Sequence, residues 1–142
     1  MKIYVGSGIF PGTVGLHIQA RPPAALAEMG SVPVLKPSGG VADAMRRMAL
    51  DRRDGKPVDV LLLQTCRVAY QQHLREALAR GDLAPGRMVD ADGVVVEGVT
   101  LVCTCSPDEA RAGRCHRAWI VEWLDRAGWD EIHCDWLGSS NG

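Results

Sequence analysis

Apolar residues recur along this chain at two spacings, one helical and one that of a strand. From Val41 to Arg53, Val41, Met45, Met48 and Ala49 fall on one face of a helix. From about Asp59 to Arg80, Leu62, Cys66, Tyr70, Leu74 and Leu78 keep the same period, and Gly81 stands where a helix cap belongs. A third helix is expected over His116–Arg126, with Trp119, Ile120, Trp123 and Leu124 on its apolar side and Gly128 beyond its end. Ala24–Met29, closed by Gly30, predicts a short helix. Strands are expected where runs are short, apolar and β-branched: residues 2–5, Val14–Ala20, Val32–Leu35, Val99–Cys103 and Glu131–Trp136. Asp92-Gly93 marks a turn or hairpin. Alternating strands and helices predict an α/β fold. The expectation is a single Rossmann-like domain over residues 1–138, its central, mostly parallel sheet flanked by helices, with a frayed tail over 139–142.

Composition narrows the function classes. The chain has 142 residues, 46% of them hydrophobic and 23% charged, with a formal net charge of −1. This is an ordinary globular composition. No basic block points to strong nonspecific nucleic-acid binding or to a membrane surface, although a local basic patch is compatible with the sequence. The start, Met1-Lys2-Ile3-Tyr4-Val5, is unlike a secretory leader, and no apolar run reaches the roughly 20 residues of a membrane span. A cytoplasmic location is therefore expected. Five cysteines, an odd number, point to reactive thiols or metal binding rather than a disulfide framework.

Three of those cysteines fall close together. Leu101-Val102-Cys103-Thr104-Cys105-Ser106-Pro107 ends a strand, and Cys115-His116-Arg117 opens a helix. In open α/β sheets, ligands bind beyond the carboxyl ends of strands and beside helix N-termini. Cys115 at the positive end of a helix is expected to favour a thiolate, with Arg111, Arg114 and Arg117 adding charge. The same arginines and backbone amides suit a phosphate or carboxylate. Cys103 or Cys115 is then the candidate nucleophile, His116 the acid/base, and Arg114 with Arg117 an anion clamp, while Cys105 supports a redox pair or a metal. Zinc on Cys103, Cys105, Cys115 and His116 is the competing use. The spacing lacks the C-x₂₋₄-C pairs of ribbons and fingers, and an extended C-x-C points its side chains to opposite faces, so no metal ligands are assigned. Cys105 and Arg111 have the C-x₅-R spacing of a phosphatase loop, but Asp108 and Glu109 inside it repel a phosphate.

These residues carry a resemblance. The segment resembles the family of unknown function numbered 4326, whose ending runs L-x-C-x-C-x-P and then C-H before a helix. The matching positions are Cys103, Cys105, Pro107, Cys115 and His116. Cys115-His116-Arg117 before an apolar helix is also similar to the family numbered 488. More loosely, the Tyr-Val-Gly-Ser-Gly start and the Leu35-Lys36-Pro37-Ser38 segment resemble early elements of the first family. Seven residues, Asp108 to Arg114, separate Pro107 from Cys115 where that family has very few. The resemblance implies a fold and a site, and hardly any reaction.

Gly6-Ser7-Gly8 after the first strand and Ser38-Gly39 before a helix are further candidates for holding an anion. Cys66 and Cys134, each alone in an apolar pattern, read as core, as does the Trp119/Trp123 stripe. His17, His73 and His133 read as structural or solvated, and the Arg46-Arg47 and Arg52-Arg53 pairs as a solvated helix face. The function these features favour is an enzyme of nucleotide or nucleic-acid modification that uses a Cys/His/Arg site, its partner a nucleotide-type or other anionic small molecule. The rivals are a non-catalytic nucleotide-type binder and a zinc-stabilised interaction module. No cofactor is named by the sequence.

Overall fold

A computed structural model describes residues 1–136; the expected frayed tail, 139–142, lies outside them. The protein is an α/β fold with a four-stranded, all-parallel sheet. Its strands are β1 (Lys2–Gly6), β2 (Gly15–His17), β3 (Thr100–Val102) and β4 (Glu131–Cys134), in the spatial order β2-β3-β1-β4. Helices α1 (Gly39–Arg53) and α2 (Val60–Arg80) connect β2 to β3. The short α3 (Pro107–Arg111) and then α4 (His116–Arg126) connect β3 to β4. Parallel neighbours require such crossovers.

The register places Val5 opposite Leu101 and Leu16 opposite the same residue on the other side. Ile3, Val5, Leu101, Ile120 and Leu124 are all fully buried. Each such side chain contributes about 1.5–3 kcal/mol relative to an exposed one. Along β1 the alternation is that of a sheet with one core face: Ile3 and Val5 point in, while Lys2 is exposed and Tyr4 half-buried. Helix α2 buries Cys66, Tyr70, Leu74 and Ala77, spaced to lie on one stripe. Its N-cap Asp59 accepts a 2.9 Å hydrogen bond from the Leu62 amide, and Gly81 takes the left-handed conformation that ends it, with φ of 79°. None of the described helices is long and apolar enough to cross a membrane.

Two expected elements differ. Val32–Leu35 is not a strand: Pro33 begins a 3₁₀ turn over Pro33–Leu35, since proline fixes φ and cannot donate to a ladder. What remains of extended pairing there is a single bridge, His17 to Ser31. The Tyr70 hydroxyl donates to the Leu35 carbonyl and His73 lies 2.7 Å from that of Val34, so α2 satisfies the turn. Ala24–Met29 likewise shortens to one 3₁₀ turn, Ala24–Leu26. Gly30 is not a left-handed cap; a Cβ there would stand 2.9 Å from Leu16 Cδ2, so close packing is what excludes a side chain. Asp92-Gly93 does form a turn, closed by an antiparallel bridge between Val89 and Val95.

Candidate functional site

Strand β3 stops at Val102, the Cys103 amide still donates to the Gly6 carbonyl at 3.1 Å, and the chain bends at Cys105. Cys103 and Cys115 Sγ atoms lie 3.5 Å apart. One side-chain donor atom each from Cys103, Cys115 and His116 lies within 4.8 Å of the others. Cys105 lies beside this group, in the lining of the same cleft. The sequence-expected cluster is thus brought together at the carboxyl end of β3 and the start of α4.

Its pieces have different roles from those expected. Cys115 is fully buried and Cys103 nearly so. Cys115 occupies the N-cap of α4 without making a side-chain cap, and the loop does not open it to solvent. The neighbouring Cys103 and Cys105 sulfurs, followed by burial, push its thiol well above the ordinary range. This corrects the expectation that Cys115 is the reactive thiolate: it is enclosed, and of the three adjacent sulfurs another is the least buried. That residue is Cys105, whose thiol is held down by hydrogen bonds from Cys103 and Cys115 and then by His116 and Arg117. Cys103 moves up, through its hydrogen bond with Cys105 and through burial. His116 is pushed down to about 4 by burial, and its Nε2 lies 3.0 Å from the Ile18 carbonyl. A buried, neutral imidazole is the form that accepts a proton rather than donates one.

Arg117 is not an anion clamp. Its guanidinium is fully buried, with NH1 donating to the carbonyls of Cys103 at 2.7 Å and Cys105 at 2.5 Å, and NH2 to Ser106 at 2.9 Å. It also lies over the Trp136 ring at 5.3 Å, with Asp135 at 3.8 Å. Arg117 is a positioning residue that folds the C-x-C bend. Arg111 is spent similarly, on Asp108 and the Trp136 carbonyl, which also disposes of the phosphatase-loop spacing.

The Gly6-Ser7-Gly8 turn already holds an anion, and it is internal. Asp135 Oδ2 accepts from the Ser7 amide at 2.7 Å and from the Ser7 hydroxyl at 2.8 Å. Ser38 caps α1 by accepting from the Val41 amide at 3.4 Å, and Gly39 is exposed beside it. Neither residue reaches the cysteine cluster's cleft.

That cleft has a volume of about 530 Å³ and opens over the ends of β2 and β3. Cys103, Cys105 and His116 line it on one side. Arg21, Arg46, Arg52 and Arg114 surround it, and no Asp or Glu is among its lining residues. Arg21 pairs with Asp43, and Arg52 with Glu109 at 2.8 Å, whereas Arg46 and Arg114 make no ion pair among the described residues. Of the expected ligand-binding arginines, only Arg114 belongs here. Arg46 and Arg52 are the sequence's omission, and the helical pattern held the signal: Ala42, Met45, Arg46, Ala49 and Arg52 recur every three or four residues along one face of α1.

No known protein family, curated protein or solved structure matches the chain. The resemblance to the two families of unknown function rests on its motif residues.

Proposed function

We propose that the chain binds an anionic small molecule of nucleotide type in this cleft. In that reading it acts in nucleotide or nucleic-acid modification through Cys103, Cys105 and His116 in the cleft floor, with Cys115 beneath them. The observation that carries the reading is a cleft at the carboxyl ends of parallel strands with four arginines in its lining, of which Arg46 and Arg114 make no ion pair among the described residues. The cleft has the size of ordinary small-molecule sites, roughly 300–1,000 Å³. Pro22, Pro23, Met45 and Ala49 supply an apolar wall against which a base could lie. A Rossmann-like kinship and a cytoplasmic setting, where five free thiols stay reduced, belong to the same reading.

A non-catalytic binder is the second reading, favoured by one observation: burial of Cys103, Cys115 and Arg117, with a neutral His116, leaves Cys105 alone among the cluster sulfurs with appreciable exposure. Isothermal titration with nucleoside mono- and diphosphates, beside inorganic phosphate, tests both. Arg46→Ala with Arg114→Ala should weaken nucleotide binding by about 100-fold or more, since each charge-assisted contact is worth about 1.5–3 kcal/mol. Absence of nucleotide binding by the wild-type protein removes the proposal. Where binding is found, Cys105→Ser separates the readings: an enzyme loses turnover, whereas a binder keeps its affinity and has no turnover to lose.

A further inference from the structure

We infer that Cys103, Cys115 and His116 form a three-residue site for a zinc-class divalent ion, with its fourth position open to the cleft. The inference concerns the cluster itself and does not depend on which anion the cleft takes.

The donor set is soft and mixed, two thiols and an imidazole, the combination that zinc selects over the hard alkaline-earth ions. Geometry favours it. Two thiolates about 2.3 Å from a tetrahedral ion stand about 3.8 Å apart, close to the 3.5 Å between Cys103 and Cys115 Sγ. The imidazole donor completes a group no more than 4.8 Å across. The C-x-C alternation does not bear on this set, because its two thiols come from Cys103 and from Cys115 at the head of α4.

The surroundings are those of an oriented ligand set. His116 Nε2 lies against the Ile18 carbonyl at 3.0 Å, so its N–H is donated there and Nδ1 keeps the lone pair. Fixing one ring nitrogen by a backbone carbonyl is how a histidine is aimed at a metal. Arg117 ties down the carbonyls of Cys103, Cys105 and Ser106, holding the bend that presents Cys103. Its buried cation also offsets charge when two thiolates replace two thiols. On binding, Cys103 and Cys115 release their S–H protons to solvent and each sulfur donates an electron pair to the ion; no oxidation is involved.

The open position follows from exposure. Cys115 lies beneath the cleft floor, while Cys103 and His116 line it. Cys105 also lines the cleft but is not part of the three-donor group. Three protein ligands with one vacant corner is the pattern of zinc sites that meet a substrate, whereas structural sites are closed by four.

The test uses full-length reduced protein, treated with a chelator and titrated with cobalt(II) alone, without nucleotide. One equivalent should produce the visible d–d and near-ultraviolet thiolate-to-cobalt absorption of a tetrahedral site, and zinc should abolish it by competition. Cys115→Ser and His116→Gln should lose stoichiometric binding, while Cys105→Ser should retain it. Folding of each variant is checked by far-ultraviolet circular dichroism; if the buried variants do not fold, the wild-type spectrum and Cys105→Ser decide. A wild-type spectrum without a thiolate band overturns the site. Loss in Cys105→Ser as complete as in Cys115→Ser overturns the open position. Failure of nucleotide titrations would leave this result untouched, and the reverse holds as well.

Discussion

Replacing Arg117 by methionine removes a buried cation while keeping most of its apolar stem volume. Three carbonyls, those of Cys103, Cys105 and Ser106, lose their donor in a place with little access to water, and Asp135 at 3.8 Å loses its countercharge. A hydrogen bond to a charged group is worth about 1.5–3 kcal/mol. The three do not add, because one loop carries all the acceptors and relaxes as a unit. The better guide is the cost of breaking a buried ion pair from one side, about 3–5 kcal/mol. Against a total stability of roughly 5–15 kcal/mol, the loss is large. It should lower Tm by roughly 6–20 °C for a domain of this size. Urea denaturation followed by tryptophan fluorescence measures it, with Trp136 stacked on the guanidinium as a local reporter. Arg117→Lys should recover only part of the loss, since an ammonium cannot span three carbonyls as a planar fork does. A destabilisation of Arg117→Met below about 1 kcal/mol would refute the assignment of Arg117 as the residue that organises the bend.

Alkylation of the metal-free protein with iodoacetamide, mapped by peptide, should label the partly exposed Cys105 and Cys134 before the buried Cys66, Cys103 and Cys115; faster labelling of Cys115 would contradict its enclosure. Asp59→Ala should cost about 1 kcal/mol in urea unfolding, because it removes the acceptor of the Leu62 amide at the head of α2. His17 is buried with Nδ1 unpartnered, and burial, then Lys36, lowers its pKa from 6.5. A neutral folded histidine stabilises above its unfolded pKa, and that contribution is lost as pH falls below about 6.5. Hence His17→Gln should lessen the decline in unfolding free energy between pH 7.5 and 5.5, and an unchanged decline would show His17 to be hydrated.

The long helices were legible because their apolar residues recur over many turns, as Cys66, Tyr70, Leu74 and Ala77 do in α2. Strand β3 was legible through its β-branched run. Val32–Leu35 was misread because a β-prone composition there competes with the fixed φ of Pro33, and the backbone constraint wins. At the site, local pattern located the cluster but not the exposure of its members. Whether Cys115 or Cys105 faces solvent depends on how α4 seats against β3, which no window of sequence contains. Asp135 left no local mark at all, since its partner Ser7 lies 128 residues away. Arg117 was misassigned for a related reason: a cation beside cysteines suits an external anion or the chain's own carbonyls equally well. Arg46 and Arg52 were within reach, had the small residues of the same α1 face been read as the wall of a cleft.

The carboxylate of Asp135 joins the loop after the first strand to the arginine that shapes the cysteine bend. It follows β4, the last of the described strands, which pairs directly with the first. The bend is therefore tied to an element that lies C-terminal to the cysteines it holds. A chain emerging from the ribosome has its cysteines and His116 in hand before it has Asp135, and until β4 docks, Arg117 lacks its countercharge and Ser7 its acceptor. The bend that presents the sulfurs is tied in this way to the docking of β4 beside β1.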